Sequence, residues 1–208
     1  MTTTRRHLLL GAAATLLLAR LAPGVAFAPG IAFAQGAGPS GFIASFGREL
    51  VAIVNAPSAD SEKAPQLAAL IERSVDIDEI AQFCLGRYVR TVTPAQLADY
   101  TQAFRRVLIH SIVGHIGAYR GVTFTVGRTV PNPEGEAVDT VVTRPNQAPA
   151  NVQWVVETGH GVLKVVDVLA EGTSLRLTQR SDYAGFLSHN GGAVSSLIAA
   201  MKRRAGAG

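Results

Sequence analysis

The chain has 208 residues, 48% of them hydrophobic and only 16% charged, with a single cysteine and a formal net charge of +4. That length allows one sizeable core and leaves little room for two full domains, and a lone cysteine excludes an internal disulfide. Arg5, Arg6 and Arg20 precede every acidic residue, so residues 35–208 carry 16 basic against 15 acidic groups; this near-balance argues against nucleic-acid binding, which needs a concentrated basic face.

The first 34 residues read as a secretory signal. Arg5 and Arg6 lead into an apolar run over 8–18, followed by two near-copies, PGVAFA and PGIAFA, ending at Ala28 and Ala34. Each copy ends in a small-x-small cleavage pattern. Cleavage after Ala34 is preferred, because cutting after Ala28 would put Pro29 next to the scissile bond. The run from Thr4 to Leu9 resembles a twin-arginine signal without its usual lysine, so the general and twin-arginine routes both stay open. A membrane anchor is disfavoured, because Arg20, Pro23, Gly24 and Pro29 interrupt the roughly 20 apolar residues a spanning helix needs. Residues 35–208 are expected to form one domain.

From 41 to 55, Phe42, Ile43, Phe46, Leu50, Ile53 and Val54 recur at spacings of three and four, the mark of an amphipathic helix. A break is expected over 57–65, then a helix over 64–74 and a short one over 76–84 opened by acids. Thr93-Pro94 is a strong helix start. Leu97, Tyr100, Phe104, Leu108, Ile112, Ile116 and Tyr119 then keep one stripe for some six turns, weakened near its end by Gly114 and Gly117.

Beyond Gly121 the period changes to two. Strands are expected over 123–130, 137–144, 151–157 and 162–169, with connections too short for parallel crossovers. Val152, Trp154 and Val156 should face inward from the third strand, and Val166 and Val168 from the fourth. An extended piece over 173–178, a helix over 181–190 and a last helix over 193–204 complete the chain. The fold class is therefore α+β: N- and C-terminal helices on a curved, mostly antiparallel four-stranded meander.

Chemistry-bearing residues are sparse. His110 and His115 are five apart on one helix, the wrong spacing for shared ligation, and no metal or cofactor is expected. His160 and His189 have no linking cue. Cys84 sits in an apolar run and reads as a small hydrophobe. Asp167, flanked by valines, is the one carboxylate placed to be unusual, with Arg180 or Arg87 as its neutralising partner in a structural ion pair.

Specific residues carry a family resemblance. Leu85-Gly86-Arg87-Tyr88, then Thr93, Gln96 and Phe104, together with Val165-Val166-Asp167-Val168, Glu171-Gly172 and Ser174-Leu175, resemble the MlaC family of periplasmic phospholipid-binding, or toluene-tolerance, proteins. The run Thr178 to Tyr183 with Asn190-Gly191-Gly192 is similar to its hopanoid-associated branch, HpnM. Tyr88 and Leu163 stand where the family often has Trp. The resemblance implies a periplasmic shuttle that holds acyl chains in an apolar pocket between helices and sheet. It also implies exchange between an inner-membrane ABC transporter with an MCE-domain protein and an outer-membrane lipoprotein complex, with no covalent chemistry. The residues expected to line the pocket are Tyr88, Phe104, Leu108, Ile112, Tyr119, Val126, Val142, Trp154, Val156, Val166 and Val168. Two other readings stay open: a small enzyme using Asp167 and a His, and an adaptor that binds only proteins through basic helix ends such as Arg203 and Arg204.

Overall fold

The structure, a computed structural model, describes residues 38–159 and 161–206; the expected signal and His160 lie outside them. Among the described residues, α1 (Pro39–Asn55), α2 (Asp60–Ser74), α3 (Ile77–Leu85) and α4 (Pro94–Val113) precede a sheet of β1 (Thr123–Asn132), β2 (Gly135–Thr143), β3 (Ala150–Gly159), β4 (Val162–Ala170) and β5 (Thr173–Ser174). Two helices follow, α5 (Leu175–His189) and α6 (Val194–Ala205). The strands pair antiparallel in chain order, β1-β2-β3-β4-β5, an open meander. This is the expected α+β architecture with a fifth, two-residue strand added. No helix among the described residues is long and apolar enough to cross a membrane.

Local chemistry sets the helix boundaries. Thr93 and Gln96 close a capping box: the Gln96 N–H donates to Thr93 Oγ1 at 3.2 Å, and the Thr93 N–H donates to Gln96 Oε1 at 3.0 Å. Asp76 caps α3 by accepting from the Glu79 N–H at 3.0 Å. Helix α2 starts at Asp60, earlier than expected, and takes Pro65 inside it. Near the N-terminus that proline forfeits a single backbone bond, a tolerable loss.

Two expectations fail here for identifiable reasons. Helix α4 stops at Val113, and a short 3-10 turn, Ile116–Tyr119, follows. The glycines at 114 and 117 end the α-helical geometry there, so the apolar stripe loses its last turns, and Ile112 and Tyr119 are surface residues at 38% and 40% exposure. Helix α5 begins at Leu175, not 181, because Ser174 Oγ accepts from the Leu177 N–H at 3.1 Å and caps it. The two-residue spacing of Leu175 and Leu177 suggests a strand, yet both side chains are exposed.

The interior divides into two apolar clusters. The larger lies among the helices, around Leu67, Leu70, Ile77, Tyr100, Phe104, Leu187 and Leu197. The smaller lies on the sheet, around Ile43, Val138, Val156 and Val165. Trp154 packs against both. Directional links between helices and sheet run along β4, where the Asp76 N–H donates to Val165 O at 2.9 Å and Lys164 Nζ donates to Arg73 O at 2.5 Å. At the start of β1, Asn55 bonds Val122 O and the Gly121 N–H, at 3.1 and 2.7 Å.

Between those links the contact is apolar and close. A Cβ at Gly47 of α1 would lie 2.2 Å from the Phe124 ring, so only glycine lets that ring rest on the helix. Gly47→Ala is expected to destabilise the fold by about 1–3 kcal/mol through overpacking. In a Phe124→Ala background the same change should be neutral or stabilising by up to about 1 kcal/mol, the helix propensity gain. Urea unfolding of the four proteins checks this cycle.

Candidate functional site

The inner face of the sheet follows from its register. Phe124 pairs with Val142, Val126 with Thr140, Val138 with Trp154, and Trp154 with Val168. Phe124, Val126, Trp154, Val156 and Val168 therefore gather on one face and pack with the sheet cluster. Phe104, Leu108, Tyr88 and Val142 pack with the helical cluster. The two groups meet at Trp154.

That meeting point is aromatic. The Trp154 ring centroid lies 5.1 Å from that of Phe46 on α1 and 6.1 Å from that of Phe124 on β1, both tilted. The indole Nε1 donates to Thr140 Oγ1 at 2.9 Å, and that hydroxyl donates to Val152 O at 2.8 Å. The polar end of the tryptophan is thus satisfied inside the sheet, and its rings are free to fill the seam between the layers.

Three expected lining residues are placed elsewhere. Ile112 and Tyr119 are exposed, and Arg144 lies over the Tyr119 ring at 5.1 Å from its centroid. Val166 is buried but belongs to neither apolar cluster. The pairing shifts between Val155–Asp167 and Val156–Val165, so Val166 is the extra residue of a bulge and Val165 takes the inward position. Phe46 and Phe124 are additions: period two from Val126 points to Phe124, and the α1 stripe contains Phe46.

At the seam the Phe46 and Phe124 rings pack directly on Trp154. Two surface depressions lie away from it. One of about 540 Å³ lies around Thr125, Asp139, Asn151 and Gln153, and one of about 480 Å³ lies between α1 and α2. At the first, Gln153 Nε2 and Arg128 Nε donate to Asp139 at 2.6 and 2.8 Å and hold its carboxyl below the usual range.

Asp167 is fully engaged in structure. Its Oδ1 accepts from the Val168 and Arg176 N–H groups at 2.7 and 3.2 Å, and its Oδ2 accepts from Ser174 Oγ at 2.6 Å. Its cationic partner is Arg176, whose Nε is 3.6 Å from Oδ2, and not Arg180 or Arg87. Arg176 is 5% exposed, stacks on Phe83 at 4.1 Å, and also faces Glu79 at 3.6 Å and Glu134. Burial, and then the neighbouring Glu157, raise the Glu79 carboxyl above its ordinary value.

The histidines take local roles. His115 Nδ1 lies 2.7 Å from Ser111 O, and His189 Nδ1 lies 2.7 Å from Gly185 O, each one helical turn back. Among the described residues no cluster of His, Cys, Asp or Glu could hold a metal ion. Cys84 is buried, its Sγ 3.5 Å from Arg176 O, and burial pushes its thiol up to about 12. At neutral pH it is a packed, unreactive thiol.

The model of the MlaC protein family matches residues 45–203. The chain belongs to the MlaC family. Its fold is similar to a solved structure titled as a phospholipid-binding protein from Ralstonia solanacearum in complex with a phospholipid, at TM-score 0.70 and 20% identity. The match covers 80% of this chain and 96% of that one. The MlaC match takes in α2 to α5, the whole sheet and all but the last residues of α6, so the seam at Trp154 lies within it.

Removing Asp167 would leave Arg176 without its one buried carboxylate partner, facing only the part-exposed Glu79 and Glu134. Asp167→Ala is expected to cost about 3–5 kcal/mol in chemical denaturation, the usual penalty for breaking a buried ion pair. A loss under about 1 kcal/mol would show that Glu79 and Glu134 suffice to hold the guanidinium.

Proposed function

We propose that this protein is a lipid carrier that takes the acyl chains of a phospholipid, or a hopanoid, between its helical layer and the inner face of its sheet. The observation that carries the reading is the seam at Trp154, where two apolar clusters meet, the Phe46 and Phe124 rings pack on the indole, and Val126 and Val168 share its face of the sheet. Membership of the MlaC family and likeness in fold to a phospholipid-bound protein support it.

The seam is suited to opening. Hydrogen bonds join helices and sheet along β4 and, from Asn55 at the end of α1, at the start of β1; the rest of the contact of α1 with the sheet runs through Phe46, Gly47 and Phe124. Apolar contact is non-directional, so an acyl chain can replace Phe46 or Phe124 against Trp154 without leaving a polar group unpaired. Each buried methylene contributes about 0.8 kcal/mol, enough for two chains to be held without a charged ligand group. Release then requires a partner that parts the layers.

In this reading the mature protein works in the periplasm, with residues 1–34 removed on export. It receives and delivers lipid between an inner-membrane ABC transporter carrying an MCE-domain protein and an outer-membrane lipoprotein complex. It is a binding protein and performs no covalent chemistry. The bonds that occupy Asp167 weigh against an acid–base role with a His. A protein-only adaptor would have no use for the seam.

Trp154 is the only tryptophan, so its fluorescence reports on the seam alone. Titration with a phospholipid brominated along its acyl chains is expected to quench it saturably, while the same lipid brominated only in its headgroup does not. Val156→Trp should abolish uptake of radiolabelled lipid while the protein stays folded. Headgroup-only quenching, or uptake unchanged by Val156→Trp, would refute acyl-chain binding at the seam.

A further inference from the structure

Three arginines stand out because nothing acidic meets them. Arg180 lies over the Phe83 ring at 4.9 Å, on the same ring that carries Arg176. It also packs over Gly86, where a Cβ would come 3.1 Å from its Nε, and Gly86 has φ +58°. Arg87 donates from Nη2 to the Tyr88 hydroxyl at 3.1 Å and rests over that ring at 5.0 Å. Arg90 follows three residues later in the 3-10 turn Gly86–Arg90, where residues i and i+3 eclipse and so share a face.

All three side chains are exposed. Among the described residues none of them is in an ion pair, whereas Arg176 faces three carboxylates. Asp182, the next acid along α5, is two residues from Arg180 and therefore points away around the helix. One turn before Arg180, Leu177 is 57% exposed. Glycine at 86 and the rings of Phe83 and Tyr88 hold two of these cations in place before any partner arrives, so binding an anionic surface sacrifices less side-chain freedom.

We infer that Arg87, Arg90 and Arg180, with Leu177 as apolar anchor, form a surface that docks on an anionic lipid bilayer. Juxtaposed guanidinium groups and a projecting leucine complement a phosphate-rich interface over acyl chains. The contact is peripheral, uses the outside of α5 and the 3-10 turn, and does not depend on lipid entering the seam. It brings the molecule to the membrane; the seam acts afterwards.

Co-sedimentation of the full chain with phosphatidylcholine vesicles, with and without phosphatidylglycerol, tests this. Each arginine is expected to contribute roughly fivefold to partition onto the anionic vesicles, so Arg87→Gln/Arg90→Gln should weaken it roughly 25-fold, with an unchanged melting temperature. Residues 1–34 are common to both proteins and do not enter the difference. Hydrogen exchange should slow at residues 86–90 when anionic vesicles are added, and raised salt should reverse the effect. Val156→Trp should dock normally, which separates this surface from the carrier reading. Partition equal for both proteins, equal on neutral vesicles, or protection confined to other residues would overturn the inference. Retention on an acidic polypeptide without vesicle binding would also overturn it, because the face would then serve a protein.

Discussion

The architecture depends on one buried guanidinium. Arg176 enters from the first turn of α5 and is met by Asp167 from β4, Glu79 from α3 and Glu134 from the β1–β2 turn, with Phe83 beneath it. Taking that charge out of water costs several kcal/mol, which only close carboxylates and well-made hydrogen bonds offset. Asp167 supplies a buried carboxylate 3.6 Å from the Arg176 Nε, which itself has no hydrogen-bond partner, and it accepts from Ser174 and from the Arg176 backbone, so the residue that faces the guanidinium also fixes the start of α5. Three regions of the chain, at Glu79, at Glu134 and from Asp167 to Arg176, are thereby held at one point.

Holding that side with directional bonds leaves the other side to be held by shape. The face of the sheet bearing Trp154 meets α1 through rings and a glycine, and the indole's own polar atom is satisfied by Thr140. Such a contact can exchange one apolar partner for another without stranding a donor or acceptor. Directional bonds along β4 and at Asn55, with an apolar contact between α1 and the Trp154 face, suit the proposed carrier of long, interchangeable chains. The arginines outside this network, at 87, 90 and 180, are in no ion pair among the described residues.

Much of this was legible in the residues, and the failures have physical causes. Period two over 123–169 and short connections lead to the antiparallel meander, and Thr93-Pro94 marks the start of α4 to the residue. The α4 stripe was extended too far because spacing ignores the cumulative effect of Gly114 and Gly117 on helix geometry. Leu175 and Leu177 mimic a strand, and the Ser174 cap decides otherwise. Val166 was placed inward because a bulge is invisible to strict alternation, and Arg176 was passed over as Asp167's partner because pairing across α5 and β4 depends on where the helix starts. Of the residues expected to line a pocket, Val126, Trp154, Val156 and Val168 do gather on one face, yet the aromatic packing at the seam depends on Phe46, which only the tertiary fold brings there.

The central claim is that the seam at Trp154 holds lipid in the living cell. Protein purified without detergent from its own cells, extracted into organic solvent and examined by mass spectrometry, addresses it most directly. A phospholipid or hopanoid is expected in near-stoichiometric amount, lost in Val156→Trp. Protein free of lipid in both forms, or carrying the same lipid in both, would contradict it.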